Sequence, residues 1–305
     1  MTEAVPLGFV GLGAIGLPLV RALRDGGHDV AVFDVRGEAV NQAVAGGCIG
    51  CASAADVADA AETVFVSLPT PDVVSRVATG DEGLVEGRRI RTYVDLSTTG
   101  ARVAAEVAAA LEARDIAVVD APVSGGVAGA EARTLAVMVA GEPDLVAEIR
   151  PLLETFGKNV FHVGTKPGQG QVAKLLNNLL SATAVAITSE ALALGVDCGL
   201  EPSTLLEVFN AGSGRNTATT DKFPRHVLTR AFASGFRLRL MAKDVDLCQQ
   251  EARDRRFPMP LGALVQQLWS IAARELDPDA DHTEFVRLVE RWSGRELPVV
   301  EGARS

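Results

Sequence analysis

The feature that most limits how this chain can fold is a change of rhythm past its middle. Up to about residue 163, short β-branched runs alternate with Ala-rich helical stretches. "PLGFVG" precedes "AIGLPLVRALRDGG", "DVAVFD" precedes "EAVNQAVAGG", "ETVFVSLP" precedes "PDVVSRVAT", and "RTYVDLST" precedes "GARVAAEVAAALEARD". "IAVVDAPVS", "RTLAVMVAG", the helical "PDLVAEIRPLLETFG" and "NVFHVG" complete the series. Continuous apolar strands separated by helices belong to a parallel sheet covered on both faces. Past Gly168 the strand signal stops. Helices are expected over roughly 170–197, 202–211, 218–231, 239–254, 261–275 and 282–292, with Pro202, Pro224, Pro258, Pro260 and Pro278 between them or at their starts. The expected fold class is therefore α/β: a doubly wound sheet over 1–166, a long interdomain helix at about 170–197, and an all-helical C-terminal domain within 167–305. A chain of 305 residues, 48% hydrophobic, is long enough for two domains with buried cores. A helix of that length spans on the order of 40 Å, enough to belong to both domains and line a cleft between them.

Charge and composition narrow the partners. The formal net charge of -10 repels nucleic acid and anionic lipid, and no basic patch stands out, so a small-molecule ligand is expected, with no nucleic-acid partner. "MTEAVPLGFVG" has no basic flank before its apolar run and does not read as a secretory signal. The stretch Leu175–Leu200 is apolar, but Asn177, Asn178, Glu190 and Asp197 would be costly in lipid, which favours a buried helix over a membrane span. Cys48, Cys51, Cys198 and Cys248 suggest a reducing, cytoplasmic setting rather than a disulfide scaffold. "CIGC" lies on a short apolar run and not at a helix start, so it reads as two small buried residues.

The first strand runs directly into Gly11-Leu12-Gly13-Ala14-Ile15-Gly16 and then into a helix. In a G-x-G-x-x-G turn the first glycine permits the tight bend, the second admits a pyrophosphate, and the third lets helix pack on strand, while the helix N-terminus attracts the phosphates. The next strand ends at Asp34, close to the separation expected for an acid that binds the adenosine ribose. Strand, turn, helix and acid in this order make a Rossmann-type dinucleotide site. Asp34 would repel a 2′-phosphate, which favours NAD and makes NADP the less favoured cofactor, although Arg36 could bind that phosphate. No metal is expected. Two further strand ends, Leu68-Pro69 and Ser97-Thr98, should face the same crevice, with helix capping as the bland alternative for Ser97 and Thr98.

"DAPVSGG" puts Ser124, Gly125 and Gly126 in a loop after a strand, where bare backbone N–H groups and a hydroxyl could cradle a carboxylate. "GQGQVAKLLNN" then sets Lys174 and Asn178 one turn apart on a helix that otherwise looks like core. Burying them unpartnered would cost several kcal/mol, so a ligand or polar network is expected there, with a lysine snorkelling to solvent as the alternative. A partly desolvated lysine suits the exchange of an alcohol proton during hydride transfer, and Asn178 would orient it or bind the reacting hydroxyl.

"GFVGLGAIGLP", "DLSTTG", "DAPVSGG", "GQGQVAKLLNN" and "LMAKDVDLC", in this order along nearly the whole chain, resemble the β-hydroxyacid dehydrogenase family, which includes 3-hydroxyisobutyrate dehydrogenases and tartronate semialdehyde reductases. The resemblance implies that 1–166 is a Rossmann domain, that 167–305 is a helical substrate and oligomerisation domain, and that the protein forms homodimers or homotetramers. It implies the acid/base role for Lys174, with Asn178 as its hydrogen-bonding partner, and a substrate-carboxylate role for Ser124, Gly125 and Gly126. It also implies that Lys243 and Asp244 belong to a segment reaching the nicotinamide end of the cofactor; residue chemistry alone leaves a surface ion pair equally open. "NAGSGRNTATTDKFP" resembles the family's substrate-side loop, but Thr217 stands where 3-hydroxyisobutyrate dehydrogenases tend to carry tryptophan, which favours a larger or more polar 3-hydroxy acid. The expected function is NAD-dependent interconversion of a small 3-hydroxycarboxylate and its oxo acid. Two alternatives stay open: an NADPH-dependent semialdehyde reductase, for which Arg36 is the feature, and a catalytically silent nucleotide-binding scaffold. An imine reductase fits less well, because that branch generally lacks the lysine.

Overall fold

The structure, a computed structural model, describes residues 5–300. The first four residues of the N-terminal stretch read for a signal segment lie outside it. By internal contacts the chain divides into Met1–Lys174 and Leu175–Ser305. The first unit holds β1 (Leu7–Val10), α1 (Gly16–Asp25), β2 (Val30–Phe33), α2 (Gly37–Ala45), β3 (Ile49–Gly50), α3 (Ala54–Ala60), β4 (Thr63–Val66) and α4 (Pro71–Thr79). It continues with β5 (Thr92–Asp95), α5 (Ala101–Glu112), β6 (Ala117–Asp120), β7 (Val123–Ser124), α6 (Gly126–Glu131), β8 (Leu135–Ala140), α7 (Pro143–Leu153) and β9 (Gly157–Gly164).

The sheet order is β3-β2-β1-β4-β5-β6-β8-β7, with β9 pairing β8. From β3 to β6 all pairs are parallel and follow the strand order of a dinucleotide-binding doubly wound sheet. Successive strand residues join different clusters, as they must when both faces are covered. Phe9, Val32, Phe65, Val94 and Val119 pack with Leu19 and Leu23 of α1. Val10, Val64, Val66, Tyr93 and Val118 pack instead with Val103, Val107 and Leu111 of α5. The expectation of a parallel sheet needs one amendment, because β8 runs antiparallel to both β6 and β7. "RTLAVMVAG" reads as one more apolar run, and an apolar run carries no direction.

α8 (Gln169–Asp197) has 29 residues and is long and apolar enough to cross a bilayer by length and composition. Half of its most apolar window is buried within the protein, and Gln171, Lys174, Asn178, Thr188 and Ser189 are among its buried residues. Polar groups are placed this way in a core helix rather than in a lipid-facing one.

The second unit adds α9 (Pro202–Ala211), a π-helical segment Ala218–Val227, α10 (Leu238–Asp254), α11 (Pro260–Glu275) and α12 (Val286–Ser293). Pro202 and Pro260 stand in the first turns of α9 and α11, where a missing N–H costs nothing. Trp269 anchors the core of this unit. It is fully buried, donates through Nε1 to the Ala182 carbonyl at 3.3 Å, and packs on Phe285 with ring centroids 4.7 Å apart.

Candidate active site

The Gly11–Gly16 turn follows β1 and opens α1. Gly11 has φ +97°, and a Cβ there would fall 2.2 Å from the Ser67 carbonyl oxygen; one on Gly16 would fall 1.9 Å from the carbonyl of Gly11. Both positions therefore require glycine. A Cβ on Gly13 would meet nothing within 4 Å, so a pyrophosphate could approach the backbone from this side. α1 has no side-chain cap, which leaves its first N–H groups available to an anion.

Asp34, at the end of β2, accepts the Leu12 N–H on Oδ2 at 2.7 Å and the Arg36 N–H on Oδ1 at 2.8 Å. The Arg36 guanidinium pairs with the same carboxylate, Nε to Oδ1 at 3.1 Å, and donates from Nη2 to the Leu12 carbonyl at 2.9 Å. Burial opposes ionisation of Asp34, but the hydrogen bonds from Arg36 and Leu12 outweigh it and hold the carboxyl below its usual range. The group is thus an anion at neutral pH, which could accept from ribose hydroxyls and would repel a 2′-phosphate. Arg36, which sequence alone leaves available to that phosphate, is engaged by Asp34. We expect Asp34→Ala to raise the KM for NAD at least about tenfold and to narrow or invert the preference over NADP, read by parallel titration of the two cofactors.

The strand ends beyond β4 and β5 are tied together. Ser97 Oγ accepts the Leu68 N–H at 2.9 Å, and the Ser97 N–H donates to Asp95 Oδ1 at 2.8 Å. For Ser97 this answers the capping alternative, since its hydroxyl is engaged by Leu68 and the N-cap of α5 is Gly100. Ser124 ends β7, and Gly125 (φ +136°) and Gly126 (φ +64°) turn the chain into α6, again with no side-chain cap.

Lys174 is 8% exposed and Asn178 5%, so the snorkelling alternative does not hold. Asn178 Nδ2 donates to Asp244 Oδ2 at 2.6 Å, and its Oδ1 accepts from Asn177 Nδ2 at 3.1 Å. Asp244, on α10, is 2% exposed and pairs with Lys243 Nζ at 2.9 Å. The surface ion pair left open from chemistry alone is instead a buried carboxylate that fixes the amide of Asn178. Sequence reasoning linked Asp244 to the cofactor and gave no sign of this contact, which joins residues 66 positions apart. It also missed Gln171, which is fully buried and bonded to Thr99, Gly100 and Ser97. Thr217 Oγ1 accepts from Lys222 Nζ at 3.1 Å, so the start of the π-helical segment, carrying "NTATTDK", pairs a hydroxyl with an ammonium rather than forming a loop. The "CIGC" thiols are free, buried at Cys48 and half-buried at Cys51, and burial pushes both up from the usual thiol range, which disfavours the thiolate.

Residues 6–164 match the family described as the NAD binding domain of 6-phosphogluconate dehydrogenase, and residues 168–289 match the NAD-binding family of NADP-dependent 3-hydroxyisobutyrate dehydrogenase. The 3-hydroxyisobutyrate dehydrogenase of Pseudomonas aeruginosa is 38% identical over 299 residues, covering 95% of this chain and 99% of its own. The chain belongs to the β-hydroxyacid dehydrogenase family. Another member, the NAD-dependent L-serine dehydrogenase of Pseudomonas aeruginosa, is 36% identical with 95% and 99% coverage. The 3-hydroxyisobutyrate dehydrogenase of Mycobacterium tuberculosis, solved with L-serine, superposes with a TM-score of 0.86 at 31% identity over 94% of this chain and 99% of its own. As a β-hydroxyacid dehydrogenase the protein is an NAD-binding oxidoreductase acting on CH–OH groups. The open face at Gly13 and the ionised Asp34 fit that cofactor.

Proposed function

We propose that the protein interconverts a small 3-hydroxycarboxylate and its semialdehyde or oxo acid, with Lys174 as the general acid/base. The observation that carries this reading is the burial of Lys174, one helical turn from an asparagine whose amide is fixed by a buried carboxylate. A lysine is kept in such a place for a proton it must exchange rather than for packing. The Gly11–Gly16 turn and Asp34 would hold NAD, which would supply the hydride acceptor for oxidation and, reduced, the donor for the reverse reaction. The backbone of Ser124–Gly126 receives the substrate carboxylate, the Lys174 amine takes the hydroxyl proton as the C–O bond gains double-bond character, and Asn178 holds the reacting oxygen. Thr217 and Lys222 offer polar groups at the start of the π-helical segment, in the stretch that resembles the family's substrate side, which favours a substrate more polar than 3-hydroxyisobutyrate.

The reading further takes 1–166 as the cofactor domain, 167–305 as the substrate and oligomerisation domain, and the protein as a cytoplasmic homodimer or homotetramer. Its cysteines stand as free thiols. On α8, Leu180, Ile187 and Leu194 recur every seventh residue and are 73%, 55% and 65% exposed, an apolar stripe that a second copy would cover. Light scattering should give a mass of at least two chains, and a monomer at micromolar concentration would remove this part of the proposal. The function itself is tested by incubating the enzyme with NAD and 3-hydroxyisobutyrate, glycerate, serine or 3-hydroxypropionate and following NADH absorbance. At least one should turn over; tight NAD binding with no turnover on any of them would favour the silent scaffold.

A further inference from the structure

Asp120 closes β6 and is 1% exposed. The functional reading gives it no task, yet the start of α8 is built on it. Its Oδ2 accepts the Gly168 N–H, and the N–H groups of Gly170 and Gln171 bond to the same carboxylate. The approach is close: a Cβ on Gly170 would fall 2.6 Å from the Met138 carbonyl oxygen and 2.9 Å from Cβ of Asp120. A second tie holds the same turn. Gln171 Oε1 accepts the Thr99 and Gly100 N–H groups at 2.8 and 3.3 Å, and its Nε2 donates to the Ser97 carbonyl at 3.0 Å. The first turn of α8 is thus fastened to the end of β6 by a carboxylate and to the exit of β5 by an amide. Lys174 follows Gln171 by three residues, one turn along the same side of the helix.

Keeping a carboxylate here is costly. Asp120 lies in register with Asp95 on the neighbouring strand. Burial, then the charge of Asp95, pushes the Asp120 carboxyl up to about 7, against which its three N–H donors work. The titratable groups bearing on it are Asp95 and Tyr93, both from β5. β8 (LAVMVA) contributes none, and α8 has none before Lys174. An uncharged residue would avoid this repulsion but could not accept three backbone N–H groups as strongly.

We propose that Asp120 is a positioning residue for the hydroxy-acid reaction: its carboxylate holds the first turn of α8 against the strand ends and so sets where Lys174 stands. This rests on the role given to Lys174 above. A misplacement of about 1 Å in a reacting group is enough to cost up to about a hundredfold in rate.

The test is Asp120→Asn in the full-length enzyme, read three ways. We expect kcat to fall about tenfold or more while the NAD dissociation constant stays within about twofold and the melting temperature is not lowered, since a like charge beside Asp95 is removed. Hydrogen exchange of a peptide covering 168–174 should be faster in the variant. In the wild type, once intrinsic exchange is corrected for, it should speed up as pH falls below about 7 and the carboxylate is neutralised. In the variant that pH dependence should be gone. A wild-type kcat with unchanged exchange overturns the proposal, and so does a joint collapse of kcat, NAD affinity and melting temperature, which would mark a purely structural residue. If Asp120→Asn does not fold, the wild-type exchange profile over 168–174 decides in its place: exchange that does not speed up below about pH 7 overturns the proposal. Should the wild type oxidise no 3-hydroxy acid, the functional reading has failed, and the exchange data alone still report whether Asp120 anchors the helix.

Discussion

Replacing Lys174 by alanine should lower kcat by about 10²- to 10⁴-fold and leave NAD binding within about twofold of the wild type. The two effects separate because the residues proposed to hold the nucleotide, the Gly11–Gly16 turn and Asp34, are built without Lys174. A small side chain in place of the buried lysine also leaves a cavity, so circular dichroism and thermal melting must accompany the kinetics. Lys174→Arg sharpens the experiment. It keeps a cation but cannot give up its proton at working pH, so a proton-transfer role predicts an arginine variant nearly as slow as the alanine one, whereas a role in attracting the substrate anion predicts substantial rescue. Activity within threefold of wild type in either variant would remove Lys174 from the chemistry.

The second large effect is expected at Asp244. Its carboxylate is the acceptor for Asn178 Nδ2 at 2.6 Å and the counter-ion of Lys243 at 2.9 Å, at 2% exposure. Asp244→Ala takes the acceptor from a buried amide and the partner from a half-buried ammonium. Losing the acceptor of a buried amide costs about 1–3 kcal/mol, or roughly ten- to a hundredfold if it is felt in the transition state. We expect that loss in kcat rather than in the KM for NAD. Asp244→Asn, which can still accept from Asn178 through its side-chain oxygen, should recover part of it. Equal losses in the two variants would mean that the charge, and not the orientation of Asn178, is what matters; a loss confined to the KM for NAD would return Asp244 to the purely cofactor role that the family resemblance implies.

The legibility of this protein in its sequence follows the range of the interactions concerned. The Gly11–Gly16 turn and Asp34 were legible because a nucleotide site is a local object: a strand, a bend that only glycine can make, and an acid on the next strand. The helices after Gly168 were legible because proline punctuation and periodicity are local too, and Pro202 and Pro260 do sit in first turns, whereas Pro224, expected between helices or at a helix start, falls inside the π-helical segment Ala218–Val227. Lys174 and Asn178 stood out because a cation and an amide one turn apart in an apolar helix call for a ligand or a polar network, and Asn178 finds one in Asp244 and Asn177. Their supports were not legible. Gln171 reads as an ordinary helical glutamine until the helix start is brought to Ser97 and Thr99, more than seventy residues earlier. One signal for Asp120 was available: "YVDLS" and "VVDAP" are buried strands that both end in aspartate, and parallel pairing sets Asp95 beside Asp120. The antiparallel course of β8 had no local signal, because strand direction is set by the connection and not by the apolar run.

The central claim is that a hydride leaves the hydroxyl-bearing carbon of a 3-hydroxy acid for NAD while Lys174 takes the hydroxyl proton. It is tested most directly with a turned-over 3-hydroxy acid deuterated at that carbon. The account predicts that the label appears on the nicotinamide ring of the product NADH with the wild type, and that its transfer slows by about a hundredfold or more with Lys174→Ala. Label found in solvent instead of the nicotinamide, or transferred at the same rate by both proteins, would contradict it.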